Sequence, residues 1–256
     1  MKTIIYFLLI MIFILSCSGE MQDKYNAHNN YDNKKTIEVS DENTNDYSFE
    51  EGVIKTSDEV DLYYRLFLKE INNGLIVLVH DKNSSLEEWN ILIDTFLDLD
   101  YSLIVYDLRG HGKSENSEDE SSSRMIDDLN LIVDLAETRN LSKLKKVIFI
   151  GNGLSGNIAL YSSPKYCDIN SYFVMLSPVI ESQETAIAQF NNYCENSKYL
   201  YLYSKKSFET INKSLYLYNY KNIETFIDNT NNYMGIDLLL NNSIFLLKVK
   251  NIINSK

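Results

Sequence analysis

At 256 residues the chain has the length of one α/β domain with an N-terminal extension, long enough to bury a large core and short for two domains. A formal net charge of −12 and a pI near 4.7 exclude the clustered Lys and Arg on which nucleic-acid binding by counterion release depends. No internal repeat and no long block of one charge sign interrupts the sequence.

The chain begins with Met1 and Lys2, then an apolar run from Thr3 to Leu15, then Ser16 and Cys17. The run is shorter than the ~20 residues that cross a bilayer core, so it predicts a secretory signal rather than a spanning helix. Ile14-Leu15-Ser16-Cys17 resembles a bacterial lipobox, with Leu15 where a smaller residue is usual. The resemblance implies that Cys17 is acylated and becomes the first residue of a mature lipoprotein held on the membrane of a bacterial cell envelope, periplasmic or surface-displayed. Plain cleavage and an uncleaved anchor are the alternatives, and a cysteine placed directly after the apolar run favours lipidation. Residues 18–46 are rich in Asn, Asp, Glu, Lys and Ser and too poor in aliphatics to offset the entropy of ordering, which predicts a flexible tether with His28 as a solvated side chain. The remaining residues, 47–256, form the folded domain.

Phe49 to Leu68 reads as two antiparallel strands joined near Ser57 to Glu59. Leu75 to Val79 is a continuous apolar run, the pattern of a strand buried on both faces, and it ends at His80. Ser85 to Leu99 carries Leu86, Trp89, Leu92, Ile93, Phe96 and Leu97 at helical spacing, and Ser102 to Tyr106 is the next strand. Ser123 to Arg139 is a second amphipathic helix, with Met125, Ile126, Leu129, Ile132, Val133 and Leu135 inward. Further strands are predicted at Val147–Ile150, Ser171–Pro178, Tyr199–Tyr203 and Ile223–Ile227, and a final helix at Ser243–Ile253. Strands alternating with helices of these lengths imply a mostly parallel sheet of eight strands covered on both faces. The twenty or so residues between Pro178 and Tyr199 leave room for one helix and no cap domain.

Val147 to Ile150 run directly into Gly151-Asn152-Gly153-Leu154-Ser155-Gly156, a strand, a glycine-dense turn and a helix start. This resembles the G-x-S-x-G elbow of the α/β-hydrolase superfamily, in which a serine on a strained turn presents its hydroxyl at the C-terminal edge of the sheet. The strand sets the register, and the nucleophile position is then Gly153, which has no hydroxyl to acylate. The shifted register Gly153-Leu154-Ser155-Gly156-Asn157 fails because Asn157 replaces its second glycine and Ser155 falls inside the first helical turn. Ser155 reads instead as a small residue that lets helix and strand pack closely. The resemblance extends to Asp107-Leu108-Arg109-Gly110-His111-Gly112-Lys113-Ser114, similar to the family's D-x-R-G-x-G-x-S loop, and to His80, which ends a strand as in the family's His-Gly pair. The glycine of that pair is Asp81, an anionic side chain beside the place where an oxyanion needs stabilising. Gly112-Lys113-Ser114 is not a phosphate loop, because the glycine required five residues earlier is Asp107. The resemblance spans about residues 47–255 and is nearest to the serine aminopeptidase and lysophospholipase-like hydrolases.

That family places its acid after the seventh strand and its histidine after the eighth. Here those positions are Ser207 or Lys206, and Met234, and none of the three can do the corresponding chemistry. The chain has three histidines, His28, His80 and His111, and all precede the elbow. A triad in the family's order is therefore unavailable in any alignment. An improvised enzyme would have to use Ser155 with His80 or His111, while the structural reading of both histidines is that they hydrogen-bond the backbone and shape their turns. Cys167 and Cys194 remain as an even pair in an exported protein, either a disulfide or two buried thiols. No metal or cofactor motif occurs. The expectation is a membrane-anchored lipoprotein with a degenerate hydrolase fold that binds a small molecule or protein, and the alternative is an active serine hydrolase acting on esters, lysophospholipids or peptides through a displaced serine.

Overall fold

The computed structural model describes residues 47–70, 72–139, 144–178, 194, 196–206 and 223–255. The predicted signal, Cys17, the tether, His28, Ser207 and the segment expected to lack a cap lie outside them.

Eight strands form one sheet: β1 Tyr47–Lys55, β2 Asp61–Lys69, β3 Leu75–Val79, β4 Ser102–Tyr106, β5 Lys146–Asn152, β6 Asn170–Leu176, β7 Lys198–Ser204 and β8 Ile223–Asp228. Their spatial order is β1-β2-β4-β3-β5-β6-β7-β8. β2 runs antiparallel to both β1 and β4, and every other neighbouring pair is parallel. The described helices are α1 Ile93–Leu97, α2 Ser122–Thr138, α3 Leu154–Tyr161, α4 Asp237–Asn241 and α5 Ser243–Asn254.

Strand periodicity places successive side chains on opposite faces, and both faces of the central strands β3, β4 and β5 are buried. On one, Leu75, Val77 and Val79 pack with Met125, Leu129 and Ile132 of α2 and Ile158 of α3. On the other, Ile76 and Leu78 pack with Trp89, Phe96 and, from α5, Phe245, Val249 and Ile253. Each side chain so buried contributes about 1.5–3 kcal/mol, which fixes the strand register and with it the loops at the sheet's C-terminal edge. Ser121 caps α2 by accepting from the Arg124 N–H at 3.5 Å.

The predicted helix at Ser85–Leu99 is divided. Leu86–Leu92 is a 3₁₀ segment and only Ile93–Leu97 is α-helical. The spacing explains the difference, because Leu86, Trp89 and Leu92 recur every three residues, and a helix of three residues per turn aligns all of them with the core, where all three are buried. At the opposite, N-terminal edge of the sheet, the Lys146 ammonium at the start of β5 donates to the carbonyls of Ile253 and Ser255 at 2.5 and 2.6 Å and lies 4.7 Å from the centre of the Tyr172 ring. A cation thereby satisfies the open carbonyls that end α5. Cys167 and Cys194 lie at the same edge, joined as a disulfide with Cα atoms 5.6 Å apart.

Candidate active site

β5 delivers the elbow. Its last residue is Asn152, and α3 begins at Leu154, so Gly153 alone makes the turn, at φ 57° and ψ −124°. Such a conformation is costly for any residue with a Cβ, by about 1–3 kcal/mol, and nearly free for glycine. Gly151 and Gly156 let the helix return tightly over the strand, since a Cβ at Gly151 would meet the Gly156 Cα at 2.6 Å. The elbow therefore keeps its backbone shape with no reactive atom at its apex.

The apex is not empty space. A Cβ built on Gly153 would fall 2.2 Å from Oδ1 and 2.6 Å from Cγ of Asp81. Asp81 follows β3, and its Oδ1 accepts from the Leu154 N–H at 3.3 Å and from the Lys82 N–H at 2.8 Å. One donor is the residue after the nucleophile position and the other lies in the loop after β3, the two sources from which α/β-hydrolases build an oxyanion hole. Two further side chains complete the floor. Glu88 accepts through Oε1 from the Asp81 N–H at 3.2 Å and from Asn152 Nδ2 at 3.1 Å. Burial pushes the Glu88 carboxyl up from its ordinary value and the nearby Asp81 charge adds to this, against the hydrogen bonds from Ser84 and Asn152. Sequence reading flagged Asp81 as a neighbour of this place and missed Glu88 and Asn152; the Asp81–Leu154 contact spans 73 residues and leaves no local pattern.

Ser155 is fully buried in the first turn of α3, and its hydroxyl donates to the His80 carbonyl. The hydroxyl is thus engaged by backbone at the end of β3 rather than by an imidazole nitrogen. His80 is fully buried with both ring nitrogens engaged, Nδ1 donating to the Asp81 carbonyl at 2.7 Å and Nε2 accepting from the Leu108 N–H at 2.9 Å. Burial lowers its pKa, so the ring stays neutral and ties the loops after β3 and β4 together. His111 bonds the Arg109 carbonyl through Nδ1 at 2.8 Å. Neither ring is hydrogen-bonded to the Ser155 hydroxyl, so the improvised catalytic group is not assembled.

At the base and acid positions, Met234 is 55% exposed and Lys206 is exposed at the end of β7. The Met234 loop is nonetheless seated beside the elbow, because the Gly235 N–H donates to Ser177 Oγ at 3.0 Å and a Cβ at Gly235 would meet Asn152 Oδ1. The loop after β4 acts as a brace. Asp107 accepts from the Leu86 and Lys113 N–H groups, each at 2.7 Å. Arg109, fully buried, grips Asp128 bidentately at 2.7 and 2.7 Å and also reaches Asp58 at 3.0 Å. Among the described residues no group of three or more His, Cys, Asp or Glu side chains is arranged to hold a metal ion.

Residues 70–224, more than half of the chain, match the family described as serine aminopeptidase, S33. The chain belongs to this family of α/β hydrolases. No curated protein matches it. Among solved structures it is similar to a CIB-like hydrolase from Thermoplasma acidophilum, with a TM-score of 0.59 and 13% identity over 81% of this chain and 98% of that one. It is likewise similar to an esterase of Pyrococcus furiosus, with a TM-score of 0.58 and 15% identity over 81% and 88% of the two chains. An acetyl xylan esterase from Paenibacillus sp. R4 gives a TM-score of 0.63 and 9% identity over 82% and 86%. At these identities the likeness concerns the fold. The family's scaffold, elbow backbone and His80-loop braces are all present, and a glycine stands at the apex of the elbow.

Proposed function

We propose that the chain is a catalytically silent member of its family, displayed on a bacterial membrane through a lipidated Cys17 and working as a binding or interaction module for a small-molecule or protein ligand. The observation that carries this reading is Gly153, which holds the backbone conformation of a nucleophile elbow with no side chain to attack a carbonyl. The absence of any histidine after the elbow and the buried Ser155 hydroxyl support it. Function in such a protein resides in what the scaffold binds rather than in turnover.

The test is to treat purified mature protein with a fluorophosphonate probe and to assay it with short-chain esters, lysophospholipid and aminopeptidase substrates. No labelled serine and no turnover above buffer are expected, and the intact mass of detergent-extracted material should carry acyl chains that Cys17→Ala removes. Labelling at Ser155, with turnover lost in Ser155→Ala, would establish the competing reading of an active serine hydrolase.

A further inference from the structure

We infer that the oxyanion hole of this protein survives and is occupied from within by the Asp81 carboxylate, so that positions 81 and 153 form an interlock in which one side chain excludes the other. Three observations converge on it. Asp81 Oδ1 accepts from both backbone donors, Leu154 N–H and Lys82 N–H. The carboxylate occupies the volume that a side chain at position 153 would enter, 2.2 Å from its Cβ. The peptide of Asp81 is itself fixed on both sides, its N–H donating to Glu88 and its carbonyl accepting from His80 Nδ1, so the side chain is delivered to this point rather than wandering into it.

The chemistry of such a hole accounts for its occupant. Two convergent N–H groups, one at the start of α3 and one in the loop after β3, concentrate positive potential where negative charge would develop on a tetrahedral intermediate. With no acyl group ever bound at Gly153, these donors would be left facing solvent or a passing anion. A resident carboxylate satisfies them permanently and makes the apex an autoinhibited site, closed to carboxylates and other small anions. Removing the carboxylate should reopen it, and the ligand class it then admits is a monoanionic carboxylate. Restoring a side chain at 153 should expel Asp81 from its seat. The inference does not rest on the absence of catalysis, because its readouts are anion binding and stability rather than turnover.

The experiment is an amide NMR titration with sodium acetate, at constant ionic strength, of the wild-type mature protein and its Asp81→Ala variant. In wild type the Leu154 and Lys82 amide resonances should stay in place up to 50-fold molar excess and beyond. In Asp81→Ala they should move saturably, with the Leu154 shift the largest in the spectrum. Equal responses in the two proteins would overturn the interlock, as would no saturable shift in a folded Asp81→Ala. A thermal double-mutant cycle covers the case in which Asp81→Ala folds poorly. Gly153→Ala carries the same backbone strain in either background, so any extra drop in Tm in wild type over the Asp81→Ala background measures the collision with the carboxylate. A drop several degrees larger in wild type is expected, together with a displaced Leu154 amide resonance in Gly153→Ala itself. Equal drops in both backgrounds would refute the inference.

Discussion

His80 is fully buried directly after β3. In the folded chain its ring is sealed between the Asp81 carbonyl and the Leu108 N–H, and burial depresses its pKa below the ordinary 6.5. The unfolded chain therefore takes up a proton near pH 6.5 that the folded chain refuses, so the stability tied to this ring is complete above that pH and is lost as pH falls through it. Urea unfolding should give a lower midpoint at pH 5.5 than at pH 7.5, and His80→Gln, less stable throughout, should lose less of its stability over the same interval. A variant with the wild-type slope would remove His80 from the account. That Gly153 makes the turn was legible in the sequence because a β-branched strand running into Gly151 fixes the register without an alignment. What sits against that turn was not, since an aspartate two residues past the end of a strand has no local signature that it will meet a helix start 73 positions later.

At the scale of the element, the loop after β4 matches its family pattern residue for residue, and the structure assigns that pattern to bracing. Arg109 lies between the loop and α2, its guanidinium shared by Asp128 and Asp58, and its direct hydrogen bond holds the Asp58 carboxyl well below the usual carboxylate range. A paired buried charge is hard to dissect by halves. Asp128→Asn should destabilise by about 3–5 kcal/mol in denaturant titration, because it strands most of a buried cation's compensation. Ser117→Ala, which removes a 3.3 Å contact to the same guanidinium from a half-buried position while Asp128 and Asp58 stay in place, should cost about 1 kcal/mol or less. The helix after β3 was legible as buried, and its geometry was not; the repeat of three in Leu86, Trp89 and Leu92 carried the 3₁₀ signal inside a pattern that also satisfies an α-helix.

For the molecule as a whole, the mostly parallel sheet and its two covered faces follow from alternating apolar strands and amphipathic helices, which is why the fold class was readable, whereas the exchanged order of β3 and β4 leaves no mark in that alternation. The Cys167–Cys194 pair was left open by the sequence, as spacing alone does not set the distance between two sulfurs. With a separation of 27 residues, closing that loop should stabilise the fold by about 3.5 kcal/mol on a chain-entropy account. Mature protein should accordingly resist alkylation until a reductant is added and should then lose a corresponding fraction of its unfolding free energy; two thiols reactive without reduction would rule the bridge out. The Lys146 clamp has a practical consequence. Because it fastens the carbonyls of Ile253 and Ser255 to the first residue of β5, the end of α5 lies at the N-terminal edge of the sheet, roughly 20 Å of strand away from Gly153. A sensor chip or affinity resin gripping that end would leave the elbow facing the liquid, which makes C-terminal immobilisation the natural orientation for fishing out whatever docks there.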